Sequence, residues 1–138
     1  MARYQVILAY DGAGFFGFQR QARGLKQRTV QAVVEAALQQ LGWQGKTILA
    51  SGRTDTGVHA SGQVIAFDLE WGHSCDALLA ALNANLPQDA AARAAHLVPP
   101  GFHPRYDALA RRYRYRLFCQ AARDPLRERY AWRVWPAV

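Results

Sequence analysis

Thr29-Val30-Gln31-Ala32-Val33-Val34-Glu35-Ala36-Ala37-Leu38-Gln39-Gln40-Leu41-Gly42 is the stretch on which the fold turns. Its apolar residues Val30, Val33, Val34, Ala37, Leu38 and Leu41 recur at helical spacing and line one face. Thr29 can cap the start and Gly42 can end it, so an amphipathic helix is predicted between them. Such a helix needs an apolar layer to lie on. Upstream, Tyr4-Gln5-Val6-Ile7-Leu8-Ala9-Tyr10 is apolar on both faces and reads as a central strand. Downstream, Thr47–Ser51 reads as a short strand and Gln63–Glu70 as a longer one, with Ile65, Phe67 and Leu69 alternating on one face. A second helix is expected from Ser74, carrying Leu78, Leu79 and Leu82 and ending before Pro87. Arg93–Val98 reads as the next strand, and Pro99-Pro100-Gly101 breaks it. The order β-α-β-β-α-β is a split βαβ pattern. It predicts an α+β, two-layer fold: an antiparallel sheet with helices on one face, ferredoxin-like or RRM-like. Arg111–Cys119 is expected to add an extra strand outside that unit.

The chain has 138 residues, enough for one domain or a domain with an appendage. No apolar run approaches the roughly 18 residues that span a bilayer, so no membrane partner is expected. Met1-Ala2-Arg3-Tyr4-Gln5 does not read as a signal peptide. Cys75 and Cys119 stand far apart with no Cys-x-x-Cys or Cys/His cluster. A disulfide scaffold and a zinc site are both disfavoured, and two free thiols fit a cytoplasmic location. Charge is unevenly spread. Residues 1–28 carry five basic and one acidic side chain, whereas residues 29–102 carry three basic and six acidic ones. Residues 103–133 hold nine arginines against Asp107, Asp124 and Glu128. Basic ends around a slightly acidic middle suit a polyanionic partner, although charge alone does not separate RNA binding from mere solubility.

Three segments could carry chemistry. Gly12-Ala13-Gly14-Phe15-Phe16-Gly17 matches G-x-G-x-x-G after a strand, but the helix that must open there starts only at Thr29. A dinucleotide site is therefore rejected in favour of a tight loop bearing Phe15, Phe16, Phe18, Gln19 and Arg20. These groups can stack on bases and touch phosphates, while Phe15 and Phe18 fit core packing equally well. The loop Gly52–Gly62 holds Arg53 and Asp55 among glycines. A lone Asp there is commonly a turn acceptor and the Arg its surface ion pair. The alternative is a carboxylate kept ionised beside a guanidinium and able to attack an electrophilic carbon. Ser51 and His59 are near, yet no G-x-S-x-G elbow supports a hydrolase triad, and a single carboxylate does not suit a glycosidase. Finally, Arg111-Arg112-Tyr113-Arg114-Tyr115-Arg116-Leu117-Phe118 alternates, placing Arg112, Arg114 and Arg116 opposite Tyr113, Tyr115 and Leu117. Arginines aligned with few acids nearby favour RNA contact over a charged edge strand. Core packing and base stacking both remain open for Tyr113. His73, His96 and His103 are scattered, with no metal-ligand spacing.

Over nearly its whole length the sequence resembles the tRNA pseudouridine synthase A family. The matching runs are Tyr10-Asp11-Gly12 with Gly17-Phe18-Gln19-Arg20-Gln21, then Thr29-Val30-Gln31, then Gly52-Arg53-Thr54-Asp55-Thr56-Gly57-Val58-His59-Ala60 with Gly62-Gln63-Val64. Asn83-Ala84-Asn85-Leu86-Pro87, Phe102-His103-Pro104-Arg105 and Ala110-Arg111-Arg112-Tyr113-Arg114-Tyr115 follow in family order. The resemblance implies an isomerase that turns uridine into pseudouridine in the tRNA anticodon arm, without cofactor or metal, as a homodimer of chains with two related α/β halves. It equates Asp55 with the nucleophile and Arg53 with the residue that helps flip the base. Tyr113 corresponds to the aromatic that stacks on the uracil and takes its C5 proton. Residues 1–138 resemble the N-terminal catalytic half; the family's later half, which completes the cleft and brings a basic residue to the acid, has no counterpart among them. The rival reading is a non-catalytic RRM-like RNA-binding module, which leaves Asp55 in the most glycine-ordered loop unexplained.

Overall fold

Alternation along the first strand sets the architecture. In β1 (Ala2–Tyr10), Tyr4, Val6, Leu8 and Tyr10 are buried while the residues between them are half-exposed. One face of the sheet thus meets a core and the other does not. The computed structural model describes residues 1–20 and 27–136; Gln21, Arg23, Gly24 and Lys26, which belong to the expected opening loop, lie outside the described residues. Two compact units are present, Met1–Ala108 and Leu109–Val138.

The first unit is the expected two-layer fold. Helix α1 (Val30–Gln40) starts on Thr29, whose hydroxyl accepts from the Ala32 N–H at 3.2 Å. It ends as predicted at Gly42, φ +94°, with Gly42 N–H donating to the Gln39 carbonyl and Trp43 N–H to that of Leu38. That pair of bonds is a Schellman closure, and Trp43 joins Leu38 in the core beneath it. Helix α2 (Cys75–Asn85) is capped by the Ser74 hydroxyl and buries Leu78 and Leu82. The remaining strands are β2 (Leu49–Ala50), β3 (Ala60–Leu69) and β4 (Ala90–Val98). The sheet order is β2-β3-β1-β4, with β1 central and every pairing antiparallel. Residues of both helices share one cluster with the buried face of β1 and β3.

The strand boundaries differ from the pattern in instructive ways. β4 begins three residues before Arg93, because Ala90-Ala91-Ala92 pair with β1 although alanine has no preference for strand. The register slips between Ala94 and Ala92, and the Asn83 side chain bridges that irregularity. Its amide donates to the Ala92 carbonyl at 2.9 Å, and its oxygen accepts from the Ala92 N–H at 2.7 Å. β2 is shorter than Thr47–Ser51: Leu49 and Ala50 pair in register with Ala66 and Ile65 of β3, and beyond them Ser51 adds one N–H bond to the Val64 carbonyl at 2.9 Å before the chain leaves the sheet.

In the second unit the expected strand Arg111–Cys119 is corrected to Leu117–Cys119 (β5), which pairs in parallel with Trp132–Val134 (β6). Arg111–Arg116 have no regular structure, and Tyr113 and Tyr115 are 66% and 86% exposed. Alternation specifies faces but supplies no ladder, and a three-residue partner extends the strand no further. Core packing is thereby set aside for Tyr113. Phe118 is buried under Arg127, whose guanidinium lies 4.3 Å from the ring centre.

Candidate active site

Antiparallel pairing brings the end of β1 and the starts of β3 and β4 to one end of the sheet. The opening loop Asp11–Arg20 and the loop Ser51–His59 leave from that end, and they interlock. Phe18 N–H donates to the Thr54 carbonyl at 3.0 Å, Gly57 N–H to the Phe15 carbonyl at 3.4 Å, and Gly12 N–H to His59 Nδ1 at 2.8 Å. The glycines make the approach possible. A Cβ on Gly12 would stand 2.0 Å from the Val58 carbonyl oxygen, and one on Gly17, φ +81°, 3.0 Å from that of Thr54. The G-x-G-x-x-G run is therefore an interface between loops; its only helical element is a 3-10 turn over Gly12–Gly14.

Other contacts brace the opening loop from behind. Arg28 donates to both carboxylate oxygens of Asp89, each at 2.7 Å, and to the Gly14 carbonyl at 3.1 Å. Its guanidinium also lies 4.1 Å from the Phe15 ring centre. Hydrogen bonding from Arg28 holds the Asp89 carboxyl below the usual carboxylate range, against the opposing effect of partial burial. Phe15 and Phe18 are core residues, 2% and 3% exposed, whereas Phe16 is open to solvent. Gln19 is exposed. Arg20 is half-exposed, with Nε 3.3 Å from Glu35 and an Nη donating to the Lys46 carbonyl. Glu35 is buried within α1 and also accepts from the Ile48 N–H and the Gln31 amide, each at 3.0 Å. One buried carboxylate thus joins the opening loop, α1 and the approach to β2.

Asp55 and Arg53 are both exposed on the second loop. Among the described residues they form no ion pair with each other, which corrects the expectation of a guanidinium held against the acid. Two exposed charges gain little by pairing when water serves each of them. Local order comes from the backbone instead. The Asp55 carbonyl accepts from the Val58 N–H at 3.1 Å, closing a turn through Gly57, φ +82°. Ser51 and His59 do not converge as a triad: Ser51 donates to the Gln63 side chain at 2.7 Å, and His59 faces Gly12 and Asp11. His59 Nδ1 can accept from Gly12 N–H or donate to Asp11 at 3.2 Å, and the shorter contact with an obligate donor selects acceptance for the neutral ring. Gln63 in turn donates to the Gly52 carbonyl at 2.9 Å. Among the described residues no group of three or more His, Cys, Asp or Glu gathers to hold a metal ion. The arrangement presents a carboxylate to solvent on a loop whose backbone is hydrogen-bonded to the opening loop. Arg112, Tyr113 and Arg114 lie in the second unit, exposed.

The family profile of tRNA pseudouridine synthases matches residues 6–107, which include both interlocked loops. The chain belongs to the tRNA pseudouridine synthase family. Family members similar to it include tRNA pseudouridine synthase A of Neisseria gonorrhoeae (strain NCCP11945), 43% identical over 94% of this chain and 49% of the relative. The synthase of the same name from Geobacter sp. (strain M21) is 46% identical over 97% of this chain and 53% of the relative. That of Thermotoga petrophila is 41% identical over 96% and 53%. The chain spans about half the length of the curated relatives it matches. The family motifs were legible as sequence, but the contacts of Gly12 and Gly17 with the second loop and of Arg28 with Asp89 were not, since those partners lie dozens of residues away.

Proposed function

We propose that this chain carries the nucleophile of an enzyme that converts uridine to pseudouridine in the anticodon arm of tRNA, with Asp55 as that nucleophile. The observation that carries the reading is an exposed carboxylate on a loop tied to its neighbour by backbone hydrogen bonds, in a chain of this family. The isomerisation breaks the bond from ribose C1′ to uracil N1 and forms one from C1′ to C5. The C5 proton leaves and N1 gains one, so atoms balance without a redox partner or cofactor. Asp55 attacks either uracil C6 or ribose C1′ once the nucleotide has left the stack. Arg53, two residues away, helps hold the flipped nucleotide, and Tyr113 stacks on the uracil and receives the C5 proton. Gln19, Arg20, Arg112 and Arg114 contact the RNA backbone. The working enzyme is a cytoplasmic homodimer of chains extended to the length of the relatives.

Tritium release from tRNA labelled at uridine C5 tests this reading on such an extended chain. Release that requires Asp55 is expected. Binding of tRNA with no release at all would favour a module that recognises RNA without modifying it.

A further inference from the structure

Beneath the Asp55 loop lies a hydroxyl for which the chemistry above has no use. Tyr10 closes β1 with its ring in the core, 4% exposed, yet its phenol reaches out of the apolar layer. The phenol oxygen stands 2.8 Å from the Thr54 hydroxyl. A buried Tyr can be replaced by Phe with little loss of apolar contact, so the hydroxyl's value lies in its partner. Burial pushes the phenol's pKa up, more than the hydrogen bonds of Thr54 and Gln63 pull it down. It therefore stays neutral and able both to donate and to accept.

Residue 54 is held at two points at once. Its side chain meets Tyr10, and its carbonyl accepts from Phe18 N–H. Further along β3, opposite Leu8, Gln63 fixes the Gly52 carbonyl and the Ser51 hydroxyl. These bonds bracket the segment that leads into Asp55, while the Asp55–Val58 turn closes it from the other side.

We propose that Tyr10 is a positioning residue: its hydroxyl, through Thr54, sets where the Asp55 carboxylate stands relative to a bound uridine. This rests on Asp55 being the nucleophile. Turnover is steep in such geometry, since a displacement of about 1 Å can cost on the order of 100-fold. Binding of tRNA, which depends on charge spread over many contacts, is insensitive to it.

The test is made on a chain extended to the length of its relatives, with single-turnover pseudouridine formation, tRNA affinity and thermal midpoint measured for each variant. Tyr10→Phe and Thr54→Val are each expected to lower the rate about 10- to 100-fold while tRNA affinity stays within about 2-fold. Because the two hydroxyls act as one pair, the double variant should be no slower than the worse single. Thr54→Ser should recover most of what Thr54→Val loses. A wild-type rate for folded Tyr10→Phe, multiplicative losses in the double variant, or no recovery with Ser would each overturn the proposal. Asp55→Asn serves as the control. If it is dead while Tyr10→Phe is unimpaired, only the positioning role fails; if it retains turnover, the nucleophile reading fails and takes this proposal with it.

Discussion

Ser51–His59 and Arg111–Arg116 are both short segments without helix or strand, and both carry residues proposed to meet RNA. Their physical situations are opposite. The first is tied at residue after residue to the opening loop, to Tyr10 and to Gln63. The second strings together Arg111, Arg112, Tyr113, Arg114, Tyr115 and Arg116, all exposed, with no sheet to align them. A nucleophile is useful only if it stands at the right place before the reaction begins. Attraction of a polyanion needs only the right charge in roughly the right region, because phosphates are many and equivalent. If the proposed roles hold, hydrogen-bonded order is concentrated where the chemistry is positional and is not needed where the attraction is electrostatic.

Substitutions can break that contrast at either end. The largest effect is expected for Asp55→Asn: turnover falls by more than about 1,000-fold while tRNA affinity holds, because the change is nearly isosteric and removes only the charge of the proposed nucleophile. A quench-flow assay beside filter binding separates the two, and a parallel loss of both would make Asp55 a folding or binding residue. Next comes Glu35→Ala, which strands the Ile48 N–H and the Gln31 amide and leaves Arg20 without its carboxylate. A cost of about 2–4 kcal/mol is expected in urea unfolding, and a change under about 1 kcal/mol would mean that water replaces the carboxylate.

Tyr113 probes the looser segment. Tyr113→Ala should weaken tRNA binding by about 1–3 kcal/mol through lost stacking, whereas Tyr113→Phe should keep affinity and slow the chemistry. Equal behaviour of the two would remove any role for the hydroxyl. Arg112→Ala and Arg114→Ala should each lower the slope of log affinity against log salt by about 0.9 at unchanged single-turnover rate, if the duplex DNA value transfers to RNA. A rate effect without a slope change would place them with the chemistry instead. The smallest effect belongs to Asp89→Asn, about 1 kcal/mol or less at neutral pH for a partly exposed pair. Arg28 depresses the folded pKa of Asp89, so the pair's contribution is complete above the ordinary carboxylate range. It is lost as pH falls through the depressed folded value. The acid limb of a stability–pH curve should accordingly flatten in the variant, and an unchanged limb would show that the pair contributes nothing.

Most of the first unit was legible because its signals are local. Thr29 and Gly42 bracket a helical stripe, and Ser74 caps a second helix within three residues of its partner amide. β1 could be read as central from its composition alone. What escaped was non-local or lacked a partner. Ala90–Ala92 are strand only because β1 lies beside them, and Arg112–Arg116 are not strand although they alternate strictly. At the site, the motif around Asp55 stood out, but proximity in sequence wrongly suggested that Arg53 would pair with it. Nothing in the spacing revealed that Gly12 and Gly17 serve the other loop.

That last contact has a consequence for how the molecule opens. The amides of Gly12, Phe18 and Gly57 each donate across the seam between the two loops, and a gap wide enough to admit water to one would expose the others. Deuterium uptake at these three positions should therefore proceed at a common opening free energy, well below that of the β1 and β3 amides. An alanine at Gly12 would force the seam apart permanently, and the three amides would then exchange as freely as those of an unprotected loop.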